Sequence, residues 1–374
     1  MSKPDSSTVA YPTPPPSAHS SPLPTPTSLP DLALDHNAFP HLLDAVIAAA
    51  PPASLLALRA TSRACYAAAT RRLYAHVVVS GHTPLSSITL RTPGDVGSLT
   101  LGGVGWGAHN EVDPEIKPLI CAHTRVLSLA SHVDERILDG LAGLFEARPT
   151  IRVLSPAFGT RLGILAASAP SIVIFAPLLE LCHLPIPLAL PRFTERMVLN
   201  ISFSEDTAAR ARKPATGWVL ARLAEAHGVK ELVVVFTRTP AASQRHASPL
   251  SGWWSDSGLR LGLLDHVIGS IAAQVRWTRC TFVDLAEVDP EIVGLVPGVP
   301  GTEVVKAVQH VVDAAISDAV TKSIVLAAPR DSGLVPLDHG EMRARVRYLT
   351  REEYHADVGA ERYALEADEE VGLL

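Results

Sequence analysis

Residues 231–238 read Glu-Leu-Val-Val-Val-Phe-Thr-Arg, five consecutive large apolar side chains between charged ends. A strand that meets water on one face alternates apolar with polar residues, whereas a strand covered on both faces is apolar throughout. Four further stretches share this character: SIVIFAP (171–177), MVLNISF (197–203), CTFVDL (280–285) and SIVLAAP (323–329). Each predicts a buried parallel strand.

The segments between them carry helical spacing. Pro214 to Ala226 is closed by Gly228, a favoured residue just past a helix end. Leu259 to Gln274 puts Leu263, Leu264, Val267, Ile268 and Ile271 on one face, and a helix opening at Thr302 does the same with Val304, Val305, Val308, Val311, Val312 and Ile316. That last stripe is β-branched, so packing must outweigh intrinsic propensity for the helix to form. Strands alternating with helices predict an α/β fold.

Toward the N-terminus the same alternation tightens. VGSLTL (96–101), RVLSLA (125–130) and RVLSPA (152–157) place Leu99, Leu127 and Leu154 at spacings of 28 and 27 residues. A helix over Asp134–Ala147 is predicted between the last two, ended by Arg148-Pro149. These spacings lie within the range of about 20–29 residues for leucine-rich repeats, which the segment resembles in degenerate form; the family's Asn at the strand-to-loop turn is not found after Leu101 or Leu129. The expectation is a body over 79–350, built either as a leucine-rich-repeat-like series or as an open parallel sheet, with a sub-boundary near 205–215.

Ahead of the body, residues 39–77 read FPHLLDAVIAAAPPASLLALRATSRACYAAATRRLYAHV. Pro40 suits a first helical turn, Leu42, Leu43, Val46 and Ile47 recur at helical spacing, Pro51 and Pro52 stop the helix, and Ser54 is placed to cap a second. The reading is a hairpin of two short helices over 31–78, too small to bury a core unaided. It resembles an F-box. Phe39-Pro40 stands for the family's Leu-Pro, Leu43 and Ile47 for first-helix aliphatics, Leu55, Leu56, Leu58 and Arg59 for the middle helix, and Ser62-Arg63 for the pair that follows; the chain departs from the pattern at Leu42, Asp44 and Cys65. The resemblance implies an adaptor that binds a Skp-type protein of a cullin-based, SCF-type ubiquitin ligase through Pro40, Leu43, Ile47, Leu55, Leu56 and Leu58. The body would then hold a protein substrate, and transfer chemistry would belong to other subunits.

Composition narrows the alternatives. With 374 residues, 47% hydrophobic content and a net charge of −6, the chain can bury a large core but offers no basic footprint for nucleic acid. No uncharged apolar stretch of about 18 residues predicts a membrane span. Cys65, Cys121, Cys182 and Cys280 lie far apart with no CxxC and no secretory signal, which predicts neither zinc nor disulfides and fits a cytoplasmic or nuclear protein. Phosphate-loop, nucleophile-elbow and zinc-protease motifs are absent, so no catalytic residue, metal or cofactor is expected. The hexapeptide EVDPEI, at 111–116 and again at 287–292, reads as a helix-capping device, with Asp before an N1 proline and a first-turn acid.

Both ends differ from the body. Residues 1–30 are rich in Pro, Ser and Thr and predict a disordered tail. Residues 351–374 are acidic, and Thr350 followed by Glu353 predicts a helix start. In the polar segment 239–257, the adjacent Trp253 and Trp254 are candidate substrate contacts. Two rival readings stand beside the adaptor: an interaction scaffold without a ligase link, and an α/β enzyme with its site beyond the strand ends near Thr237 or Arg330.

Overall fold

The computed structural model describes residues 40–82, 87–92, 98–102, 116–130, 144–145, 147–154, 169–177, 194–203, 229–238, 268, 271, 275, 278–327 and 338–368. The expected tail over 1–30 and the predicted helix over 214–226 lie outside these residues. So does nearly all of the helix over 134–147. Of the helix expected over 259–274, Ile268 and Ile271 are described; both are helical and fully buried. The chain divides into two compact units between Leu43 and Asp44, and the second carries the sheet.

The N-terminal segment forms three helices rather than the two expected: α1 (Pro40–Ala49), α2 (Pro52–Arg59) and α3 (Arg63–Tyr74). Pro52, not Ser54, sets the start of α2, because proline fits the first helical position and Pro51 ahead of it is extended. The extra break comes from local side-chain bonds. Thr61 Oγ1 donates to the Leu58 carbonyl at 2.8 Å, and Ser62 Oγ accepts the Cys65 N–H at 3.2 Å, capping α3. Cys65, Ala69 and Leu73 form the buried stripe of α3 at four-residue spacing.

From α3 the chain enters a ten-stranded sheet: β1 (His76–His82), β2 (Ser87–Arg91), β3 (Ser98–Gly102), β4 (Val126–Leu129), β5 (Thr150–Val153), β6 (Ser171–Pro177), β7 (Arg196–Phe203), β8 (Glu231–Arg238), β9 (Arg279–Val283) and β10 (Val346–Leu349). Across the sheet the order is β10-β9-β8-β7-β6-β5-β4-β1-β2-β3. The first three strands make an antiparallel meander; from β1 through β4 to β10 every pairing is parallel, and each new strand adds on the same side. Right-handed crossovers in such an order all fall on one face. The helix α4 (Ile116–His123) precedes β4, and α5 (Gly301–Ala327) with α6 (His339–Ala344) joins β9 to β10.

Three expectations are corrected here. The stretch around Leu99 is β3, an antiparallel edge strand, so its 28-residue spacing to Leu127 is not a structural repeat. RVLSLA and RVLSPA do not align residue for residue either: Val126 faces Thr150, 24 residues on, so Ser128 meets Arg152. Residues 323–327, expected as a strand, are the last turns of α5, and the edge strand is β10 instead. Short β-branched runs fit a helix or a strand, and neighbouring structure decides between them.

A recurrent bond stitches the strand starts. Arg125 and Val126 donate their N–H groups to Ala75 O, Glu195 and Arg196 to Pro170 O, and Lys230 and Glu231 to Glu195 O. Beside two of the parallel strands a buried threonine adds a second stitch: Thr194 and Thr278 donate to the carbonyls of Ala169 (3.1 Å) and Val229 (2.7 Å), each two residues before the neighbouring strand, whereas the Thr124 hydroxyl donates back to the Ile120 carbonyl of its own helix at 2.7 Å, with Tyr74 O at 3.4 Å.

The two sheet faces differ in chemistry. One is apolar throughout, with Leu127, Ile151, Ile172, Leu199, Val234 and their row neighbours buried, and an aromatic ladder of Phe203, Phe236, Phe282 and Tyr348 at centroid distances of 5.8, 6.5 and 5.9 Å. The opposite face carries Val173, Phe175, Val198, Val233, Val235 and Val283, interrupted by Arg152, Arg196 and Asn200. After β10 the chain turns onto this second face as α7 (Arg351–Val358) and α8 (Ala360–Ala367), which bring Tyr354, Val358 and Tyr363 against it. Thr350 and Glu353 close a full capping box at the start of α7, and Gly359, with φ at 81°, makes the sharp turn into α8.

Candidate partner-binding surfaces

Two surfaces carry candidate function, the N-terminal helices and the sheet face under α7–α8. Of the six N-terminal residues singled out in the sequence, Ile47 and Leu55 are buried within the chain at 5% and 3% exposure. Leu43 and Leu58 are half-buried, and Pro40 and Leu56 are exposed. Large apolar groups also face solvent at Leu42, Val46 and Tyr66. Tyr66, next to Cys65, lies under the Arg59 guanidinium at 4.9 Å and accepts a 3.3 Å hydrogen bond from it. Trp253 and Trp254 lie outside the described residues.

The second surface is built around Arg196, the first residue of β7. Its Nε and Nη2 donate to Oε1 and Oε2 of Glu366 on α8 at 2.8 and 2.9 Å, a bidentate pair with both side chains under a tenth exposed. Nη2 also donates to Tyr354 Oη at 2.9 Å, Nη1 pairs with Glu231, and Tyr354 Oη donates a short hydrogen bond to Glu366. Asn200, four residues along β7 and so on the same face, donates from Nδ2 to the Glu366 carbonyl at 2.7 Å. Further across the sheet, Arg152 donates to the Asp368 carbonyl and to Ser128 Oγ, with its guanidinium over the Phe175 ring at 5.0 Å. His76 Nε2 reaches Ser128 Oγ at 2.7 Å.

This burial has electrostatic consequences. Desolvation opposes the Glu366 carboxylate, yet the hydrogen bonds and charge of Arg196, with Tyr354 and Arg362, hold its pKa below the usual range. Burial and the Glu366 charge push the Tyr354 hydroxyl above the ordinary phenol range. Burial, then the charge of Arg152, lowers His76 to about 4 and keeps its ring neutral.

At the carboxyl ends of β8 and β9, Arg351 Nη2 donates to Phe236 O and Thr237 Oγ1 at 3.2 Å each, and its Nε pairs with Asp284 at 2.7 Å. Arg330 lies outside the described residues. The exposed pair Ser317 and His339 meets at 3.0 Å, but the Ser317 hydroxyl also bonds back to the Asp313 carbonyl of its own helix. Among the described residues no group of three or more His, Cys, Asp or Glu is arranged to hold a metal ion, and no helix is long and apolar enough to cross a membrane.

Sequence reading missed Arg196, Asn200, Arg152 and Glu366. The signal was present, since polar residues at even spacing inside a strand otherwise apolar on both sides mark a face with a polar partner. No protein-family model, no curated protein and no solved structure matches this chain.

Proposed function

We propose that this chain is the substrate-recognition adaptor of an SCF-type ubiquitin ligase, whose N-terminal helices bind a Skp-type adaptor and whose α/β body holds a protein substrate. The reading is carried by one observation. In the segment resembling an F-box, Ile47, Leu55, Cys65, Ala69 and Leu73 are buried while Val46, Leu56 and Tyr66 face solvent. Exposed apolar groups on adjoining helices suit a partner with an apolar surface. The body is consistent with a leucine-rich-repeat-like series at its centre, where strand partners step by 24 (Val126 to Thr150), 21 (Ile151 to Ile172) and 25 (Ser171 to Arg196) residues. Beyond β7 the steps lengthen to 35 (Arg196 to Glu231) and 48 (Glu231 to Arg279).

Coexpression with a Skp adaptor from the same species tests the reading. The parent should copurify with it, and Val46→Asp with Leu56→Asp should abolish copurification while leaving the circular dichroism spectrum unchanged, since both positions are exposed. Absence of binding by a folded parent would leave the second reading, an interaction scaffold without a ligase link, which the departures at Asp44 and Cys65 favour.

A further inference from the structure

The helices α7 and α8 hold the sheet by an unusual division of labour. They follow β10 directly through Leu349–Thr350. At the near end the Tyr354 ring inserts among Val173, Val198, Val233 and Val283, while its hydroxyl reaches the Arg196–Glu366 pair. At the far end the attachment is polar: Glu366 to Arg196, the Glu366 carbonyl to Asn200, and the Asp368 carbonyl to Arg152. Buried ionic anchors add little net stability over apolar packing, but they discriminate sharply between partners, because a segment lacking the carboxylate leaves the arginine unpaired.

Charge complementarity on this face is local: of the acids in 351–368 only Glu366 is buried, and it lies against Arg196, while Glu352, Glu353, Asp357 and Glu361 are exposed and Arg152 meets the Asp368 carbonyl.

We propose that this face is a docking surface for an acidic, tyrosine-bearing amphipathic helix, and that α7–α8 occupy it in cis until an incoming helix of the same chemistry displaces them. The incoming helix supplies a carboxylate to Arg196 and an aromatic ring to the Val173–Val198–Val233 row. Where the chain acts as a ligase adaptor, such a helix belongs to its client; the docking itself does not rest on that reading.

Native-state hydrogen exchange on the full-length chain is the first arm. Amides of α7–α8 should exchange about tenfold faster or more than those of β6–β8, through a sub-global opening. The second arm adds a fluorescent synthetic peptide of residues 350–368 to the full-length chain carrying Glu366→Gln, which weakens the resident segment. The peptide should bind that chain about tenfold more tightly than the parent, and the peptide itself carrying Glu366→Gln should bind about tenfold more weakly, since the charged bidentate contact is lost. If the substitution lowers protection of β6–β8, Arg362→Ala, at a half-exposed position touching the same carboxylate, takes its place. Exchange of α7–α8 only together with β6–β8 would overturn the proposal. So would absence of peptide binding, or equal binding of the two peptides. Neither arm involves a Skp adaptor, so failure of the ligase reading leaves these results intact.

Discussion

Arg196 and Glu366, 170 residues apart in the chain, meet through two hydrogen bonds of 2.8 and 2.9 Å and tie the last helix to the seventh strand. Removing one partner strands the other. Arg196→Met is expected to lower unfolding free energy by about 2–4 kcal/mol, because Glu366 keeps only Tyr354 and the half-exposed Arg362. The double change Arg196→Met with Glu366→Met should recover about half of that loss or more, since paired apolar replacements of buried ion pairs are often near neutral. Urea titration of the four chains of the cycle measures the coupling directly.

Acid should loosen the same face in two windows. His76 has its folded pKa lowered from 6.5 to about 4, so between those values the unfolded state binds more protons and stability falls as pH drops. The Glu366 carboxyl is also lowered, so its contribution is present above its unfolded pKa and is lost at more acidic pH. His76→Gln should flatten the slope between pH 6.5 and 4, and Glu366→Gln should flatten it only at the acidic end. Denaturation midpoints from pH 6.5 to below pH 4 check both.

The threonine stitches predict two similar, separate losses. Thr194→Val and Thr278→Val each leave a carbonyl short of a donor at a strand start, and each is expected to cost about 1–2 kcal/mol, whereas Thr124→Val, whose hydroxyl bonds mainly to its own helix, should cost less. The corresponding changes to Ser retain the hydroxyl and should lose less. A midpoint shift at constant m-value distinguishes the effect from a change in compactness.

Adjacent leucines in α2 should behave oppositely. Leu55, 3% exposed, cannot accept a carboxylate, so Leu55→Asp should unfold the N-terminal helices, whereas Leu56→Asp at 42% exposure should change stability by about 0.5 kcal/mol or less. Thermal melts by circular dichroism separate them. Only the second is therefore a clean probe of partner binding.

How far the sequence could be read depended on the range of the interactions involved. The apolar runs at 171–177, 197–203, 231–238 and 280–283 announced buried parallel strands, because a continuous apolar run is what coverage of both faces demands. The capping signals of Asp289-Pro290-Glu291 and of Thr350 with Glu353 were legible too, since a cap is a bond between residues three or fewer apart. The Asp289 cap opens a short 3-10 turn. Nothing local separated Leu99 in an antiparallel hairpin from Leu127 in a parallel row, or Val325 in a helix from Val346 in a strand. Pairing direction and register are set by which strand lies alongside, a non-local fact.

By itself, then, the amino-acid sequence determined that strands and helices would alternate, where caps would close them, and which runs would be buried. Tertiary structure alone decided that the parallel strands from β4 onward add in one direction and that the acidic C-terminal segment lies across the second face. It also decided that Arg196 of β7 would find its carboxylate in α8. Periodicity and capping are written within a few residues of chain, whereas the partner of a buried charge is chosen by the packing of segments far apart in sequence.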